Sequence, residues 1–312
     1  VDGSAWNIEL CAALGIPVES LPEVVPTIGA HAIASALPGA PPVTAIVGDQ
    51  QASLIGQACV RPGDAKVTFG TGGILDLCTD ASAPTSGHRG AHGTYPLPLW
   101  NVAGATTWGV EAIMLSAGSN VEWLEHDLGV IDHAAQSHDV ASRCETSDGV
   151  MFVPALLGLG TPHWDYGARG TLLGATRGTG RPQLVRAVLE GVAHRGVDLI
   201  EAAYADTDVM VDRVRLDGGM SRNPTFVQAL ADLLGRAVDV SPHAESTTVG
   251  AAFLAGLGIG RWRHIDDVHD LYRPLATVAP RTAADRDRQR ARWADAVSRS
   301  TRWLPELSGL DF

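Results

Sequence analysis

Apolar and polar positions follow two textures along the chain. Residues 6–14 (WNIELCAAL) read as an amphipathic helix, and Gly15 and Pro17 stop it. A Pro-rich connection follows, with Pro22, Pro26, Pro38, Pro41 and Pro42. The short apolar run Val43-Thr44-Ala45-Ile46-Val47 ends in Gly48-Asp49. That is the pattern of a buried strand with a carboxylate at its carboxyl end, and a helix over 50–58 comes next. One strand and two helices make no sheet. Residues 1–57 are therefore expected to need partner strands from sequence preceding Val1.

From residue 65 the pattern becomes that of a sheet protein. Residues 65–69 (AKVTF) and 74–78 (ILDLC) read as strands joined by the tight turn Gly70-Thr71-Gly72-Gly73. Further strands are expected near 95–102 and 150–154, and helices near 119–128 and 132–143. The Gly-rich stretch 158–180 reads as extended loop with a short strand at 171–173. The second half then alternates: helix 182–205, strand 211–216, helix 224–234, strand 237–240, helix 247–257 and a charged helical tail over 283–303. Leu184, Val188, Val192 and Leu199 lie near one face of the first of these. This β-α-β-α order predicts an α/β domain around a central sheet. No short-period repeat and no low-complexity segment interrupts it.

Composition narrows the function. A chain of 312 residues suits one large or two ordinary domains. The net charge of −12, with 23 basic residues, argues against nucleic acid as the main partner. No apolar run approaches a membrane span. The four cysteines (Cys11, Cys59, Cys78, Cys144) form no CxxC pair, which points to reduced thiols and a cytoplasmic protein. Lys66 is the only lysine and sits outside any GxxxxGK[ST] loop, so this chain holds no Walker-type phosphate loop. His88 and His92 in HRGAH are separated by glycine and read as a polar loop, and no protein-held metal site is expected.

Four local motifs carry candidate chemistry. In Leu216-Asp217-Gly218-Gly219-Met220-Ser221-Arg222-Asn223-Pro224 a strand ends, two glycines follow and a helix opens with Asn223 as N-cap and Pro224 at its first position. The glycines allow a ligand close to the backbone, and the helix start offers free N–H groups to an anion or polar ring. The same residues equally make an ordinary strand-to-helix turn. Thr68-Phe69-Gly70-Thr71-Gly72-Gly73 can point successive N–H groups inward as an anion nest, or be a plain hairpin. In Gly48-Asp49-Gln50-Gln51 a carboxylate at a strand's carboxyl end can take a proton from an attacking hydroxyl, with Gln50 orienting it. Asp49 can also be the N-cap of the next helix. Glu111 to Gly118 ends in the small residues Ser116, Ala117 and Gly118, which suit helix packing or close approach of a ligand.

In this order the four motifs resemble the FGGY family of carbohydrate kinases, and most closely its glycerol-phosphorylating members. Supporting stretches are Gly158-Leu159-Gly160-Thr161-Pro162-His163-Trp164-Asp165, residues 183–190 (QLVRAVLE) and residues 248–256 (TVGAAFLAG). The resemblance implies an α/β fold of the ribonuclease H-like, actin-like ATPase type. It implies that residues 1–57 are the tail of an N-terminal polyol-binding domain. Residues 58–312 are then a C-terminal nucleotide-binding domain, which needs that first domain for a complete site. Asp49 is implied as the catalytic base, and Gln50 and Ile74 as substrate contacts. Gly70, Thr71 and Gly72 are implied as a phosphate loop, with Gly118, Glu122, Gly218, Gly219 and Asn223 also around the nucleotide. ATP with Mg²⁺, a small polyol and self-association are the implied cofactors and partners, although no segment demonstrates self-association. Two positions depart from the glycerol-type pattern: Ile74 replaces a Phe and Glu122 replaces a Gln, so the substrate stays open to a larger polyol or a ketose. A non-catalytic nucleotide-binding half is the competing expectation, and an exposed apolar face around 43–60 is its mark.

Overall fold

The computed structural model describes residues 5–80, 88–281 and 285–310. Asn7 caps α1 (Ile8–Ala13), its side chain accepting the Leu10 N–H at 2.9 Å. The Pro-rich connection contains a strand that the sequence pattern did not indicate. β1 (Ile28–Ile33) pairs antiparallel with β2 (Pro42–Ala45) in a separate two-stranded sheet. The apolar run at 43–47 thus finds its partner within residues 1–57, contrary to expectation. It is also less buried than its composition suggests: only Thr44 is fully covered. α2 (Asp49–Gly56) follows directly.

The central sheet has seven strands. β3 (Ala65–Phe69), β4 (Gly73–Cys78), β5 (Tyr95–Val102) and β6 (Ala105–Met114) form an antiparallel group. The second half contributes β9 (Val214–Asp217), β10 (Val238–Val240) and the edge strand β11 (Ala276–Val278). The order across the sheet is β11-β10-β9-β3-β4-β6-β5. β9 runs parallel to β3 and to β10. A parallel pair needs a crossover, and α6 (Pro224–Leu234) supplies the one between β9 and β10. β7 (Met151–Val153) and β8 (Thr171–Leu173) make a small antiparallel pair of their own.

Period-2 alternation divides the sheet into two unlike faces. Ala65, Val67, Phe69, Leu75, Leu77, Ala112 and Leu216 are fully buried on one face. They pack with α3 (Ser119–His126), α4 (Ser137–Ala141), α5 (Arg181–Thr207) and α6 as the main core. Each such large side chain contributes about 1.5–3 kcal/mol by burial. The other face carries Lys66, Thr68, Asp76, Glu111, Arg215 and Asp217. α2 and α7 (Ser246–Gly258) lie over it, with Leu54, Ile55, Cys59 and Leu254 in a second, smaller cluster. α2 and α7 touch backbone to backbone: a Cβ on Gly250 would overlap the Ala52 carbonyl. α8 (Arg286–Ser300) seats Trp293 in a third cluster, and α9 (Pro305–Ser308) closes the described chain.

Two further expectations change. β6, the strand between β4 and β5 in the sheet, shows in the sequence pattern only as the small-residue motif that follows its end. The helix expected over 132–143 is a 3-10 turn (Ala134–Gln136) followed by the five-residue α4. Among the described residues no helix is long and apolar enough to cross a membrane, and no group of three or more His, Cys, Asp or Glu could hold a metal. All four cysteines are free. Burial pushes the Cys59 and Cys78 thiols well above their ordinary range.

Candidate active site

The glycine motifs meet where β3 and β9 end side by side. Thr68 and Asp217 are register partners, so the chain leaves both strands at one level of the sheet. After β3 the turn 70–72 folds back onto the start of α3. Gly118 N–H donates to the Gly70 carbonyl at 2.8 Å, Ala117 N–H to the Thr71 carbonyl at 2.7 Å, and Ser119 Oγ to that same oxygen at 3.1 Å. After β9, Gly218 takes a φ of 82°, and a Cβ there would strike the Phe69 backbone. Only glycine lets the two strand ends lie this close. Gly219 is exposed, and the space where its Cβ would point is open.

Between these turns lies a cavity of about 460 Å³. Phe69, Val121, Met220, Ala134 and Ala135 give it apolar walls; Thr71, Glu122, Ser137, His138, Arg222 and Asn223 supply polar groups. Six residues expected around a nucleotide line it: Gly70, Thr71, Gly118, Glu122, Gly219 and Asn223. Gly72 and Gly218 shape the backbone at its edge without lining it. Asn223 is the N-cap of α6, its Oδ1 accepting the Phe226 N–H at 3.1 Å. Its Nδ2 donates to Ser137 Oγ at 2.9 Å, and His138 Nδ1 meets Thr225 Oγ1 at 2.8 Å. α4 is thereby tied to the start of α6, which fixes one wall of the cavity. Ser137 and His138 lie in the segment expected as a helix over 132–143 and Arg222 in the 216–224 motif, but none carried a site role in the sequence, because nothing local shows that α4 folds onto the start of α6.

Asp49, Gln50 and Ile74 do not line this cavity. Ile74 is half-buried on the face of β4 that also carries Asp76. Asp49 is exposed at the first position of α2, with Gly48 rather than Asp49 as the N-cap; its Oδ1 accepts the Gln50 N–H at 2.8 Å. α2 is docked on the sheet by a polar stripe at helical spacing. Gln50 Oε1 accepts from Lys66 Nζ at 2.7 Å, Ser53 Oγ donates to Asp217 Oδ2 at 3.0 Å, and the Gln57 carbonyl accepts from Arg215. Asp217 joins the two parts, belonging to the β9 turn while holding α2. Near this stripe Glu111 is pushed up to about 7, by burial first and then by the charge of Asp76. Asp76 and Glu111 are register partners on β4 and β6. The HRGAH segment is a structural loop: Asp206 accepts from His92 N–H at 2.7 Å and from Thr94 Oγ1 at 2.8 Å.

An antiparallel group followed by parallel strands, with helices on both faces and a cavity at the strand ends, is the ribonuclease H-like, actin-like ATPase architecture. Residues 65–259 match the FGGY family of carbohydrate kinases, C-terminal domain. The chain belongs to the FGGY family of carbohydrate kinases. It is 40% identical over 302 residues to a glycerol kinase of Aromatoleum aromaticum, covering 96% of this chain and 60% of that protein. It is 37% identical over 301 residues to glycerol kinase 2 of Thermotoga maritima, with the same two coverages. Among solved structures it is similar to Plasmodium falciparum glycerol kinase with ADP, at a TM-score of 0.86 and 31% identity, covering 95% of this chain and 59% of that one. It is also similar to a xylulose kinase from Rhodospirillum rubrum, at a TM-score of 0.75 and 26% identity, covering 94% and 60%. The chain thus spans about 60% of the length of the curated relatives it matches.

Proposed function

We propose that the protein carrying this chain transfers the γ-phosphoryl group of MgATP to a hydroxyl of a small polyol, glycerol first among candidates. The observation that carries this reading is the convergence of Gly70, Thr71, Gly118, Glu122, Gly219 and Asn223 on one cavity. The relative solved with ADP supports a nucleotide as its occupant. The apolar walls suit the adenine, and the glycine turn with Thr71 suits the phosphates. Mg²⁺ would enter with ATP as part of the substrate and would supply neutralisation of the phosphate charge.

The Asp49 carboxylate accepts the proton of the attacking hydroxyl. The alcohol oxygen then forms its bond to the γ-phosphorus in line with the departing β-phosphate oxygen, and ADP leaves with that bond's electrons. Catalysis is positioning and electrostatics, completed as the site closes and excludes water. Ile74 gives apolar contact to the polyol's carbon chain. The same reading makes residues 1–57 the tail of a polyol-binding domain and 58–312 the nucleotide-binding domain, in a cytoplasmic enzyme.

A second reading, that this segment alone is a nucleotide-binding half without catalysis, draws on the coverage of the relatives and on surface. Trp6, Ile8, Leu10, Leu14, Ile33 and Leu37 are exposed. The face named for this reading, around 43–60, is instead largely covered: residues 52–60 are all buried. Polyol-dependent ADP release, measured with a panel of glycerol, larger polyols and ketoses, tests the proposal. Release that no panel member stimulates, alongside intact MgATP binding, overturns it in favour of the second reading.

A further inference from the structure

Lys66 is the single lysine of the chain and its side chain has no solvent exposure. Its ammonium lies 2.7 Å from Gln50 Oε1, 3.0 Å from Thr68 Oγ1 and 2.8 Å from Asp76 Oδ2. The Asp76 contact is one of charges, since neither carboxylate oxygen has an aligned hydrogen bond. A buried ammonium costs several kcal/mol unless paired, so a structural pair with Asp76 explains part of this arrangement. It does not explain the contact that reaches out of the sheet to the first turn of α2.

The chemistry of the ammonium decides how Gln50 is turned. An ammonium has three donors and no acceptor, so the amide atom facing it is the oxygen. Gln50 Nε2 then points away from Lys66, and among the described residues it donates to no protein group. Ser53 with Asp217, and Gln57 with Arg215, hold the later turns of α2. In the turn that begins with Asp49, Thr247 Oγ1 of α7 reaches the Asp49 carbonyl at 3.4 Å, and among the described residues Lys66 is the group that holds the Gln50 side chain.

We propose that Lys66 is a positioning residue that locks Gln50 as a hydrogen-bond donor beside the acceptor Asp49. The pair then presents one donor and one acceptor to a substrate bearing vicinal hydroxyls. One hydroxyl gives its proton to Asp49 while the neighbouring oxygen accepts from Gln50 Nε2. The proposal rests on the phosphotransfer reading above, and it adds the basis on which a diol is distinguished from a simple alcohol.

The test uses the protein at its natural length. The double variant Lys66→Met/Asp76→Leu removes the buried pair together, so no charge is stranded. Gln50→Glu keeps an oxygen toward Lys66 but deletes the donor. Both are expected to raise the polyol KM about tenfold or more while ADP affinity, by calorimetry, stays within about twofold, one lost hydrogen bond being worth about 1.4 kcal/mol. In a crystal structure of the double variant the Gln50 amide is expected to leave its present position. An unchanged polyol KM in Gln50→Glu, or an unmoved Gln50 amide in the double variant, overturns the proposal. If the unsubstituted protein phosphorylates no polyol, the phosphotransfer reading fails by itself, and the Gln50 position still decides the role of Lys66. If the double variant does not fold, an unchanged polyol KM in Gln50→Glu still overturns the proposal.

Discussion

The Cβ that Gly118 lacks would lie 2.6 Å from the carbonyl oxygen of Gly70, the same oxygen that the Gly118 N–H binds at 2.8 Å. The two residues are 48 positions apart, and their contact closes the 70–72 turn against the start of α3. Gly118→Ala must push the Gly70 carbonyl outward, and Thr71 moves with it. The expected result is a loss of about 1–3 kcal/mol of stability and a weaker response of the melting temperature to ADP. Thermal melts with and without ADP measure both. An alanine variant with an unchanged ADP-induced shift would show that the turn's position is irrelevant to the nucleotide.

Asp49 is exposed, and among the described residues its side chain is engaged only by its neighbour's N–H. Asp49→Asn keeps that acceptor and the shape while removing the proposed base. Turnover should fall about 10²–10⁴-fold, the usual contribution of a positioned base. ADP affinity should hold, because Asp49 does not line the cavity. Parallel loss of turnover and nucleotide binding would make Asp49 a structural residue of α2.

Asn223 does two jobs with two atoms. Its Oδ1 caps α6 and its Nδ2 holds Ser137 of α4. Asn223→Ala loses both, with about 1 kcal/mol from the cap alone. Asn223→Asp keeps the cap oxygen but replaces the donor with an acceptor, so the Ser137 tie should loosen while the His138–Thr225 tie and the α6 cap remain. Stability near that of the unsubstituted protein with weaker ADP binding is expected for Asn223→Asp, by urea titration and calorimetry. Equal nucleotide affinity in both proteins would remove α4 from the binding wall.

What could be read from the sequence follows from how far each signal reaches along the chain. The β9–α6 junction was legible because strand, Gly218-Gly219, Asn223 and Pro224 are contiguous, and each residue has one local job. The β3–β4 hairpin was legible for the same reason. β6 was missed although Trp108, Val110, Ala112 and Met114 are buried at alternate positions, because Gly109 and the apolar Ile113 on the opposite face blur the polar half of the pattern. β1 was missed because the prolines around it signal loop more strongly than its half-exposed residues signal strand. Lys66, Asp76 and Glu111 were not assembled, since their neighbourhood depends on the register of three strands. The available signal was a lone lysine inside the apolar run Ala65-Lys66-Val67-Thr68-Phe69, which asks for a buried counter-charge.

Glu111 gives the protein a pH-dependent stability of a definite sign. Burial pushes its carboxyl from its ordinary 4.5 up to about 7; Asp76 and Asp49 push in the same direction, and Lys66 opposes them. Between those two values the folded chain holds a proton that the unfolded chain has released. Stability from this group therefore falls as pH rises from about 4.5 to about 7, and the loss is complete above the folded value. The carboxyl is only partly buried, so water screens much of the effect, leaving about 1 kcal/mol. Glu111→Gln removes the ionisation and keeps the size. The variant should be more stable than the unsubstituted protein at pH 8 by about that amount, and the difference should shrink toward pH 5 as Glu111 takes up its proton. Urea unfolding at pH 5, 6, 7 and 8 on both proteins reads the difference directly. A difference that stays constant across the four pH values would mean that Glu111 titrates alike in the folded and unfolded chains, and that the row from Lys66 through Asp76 to Glu111 imposes no electrostatic cost.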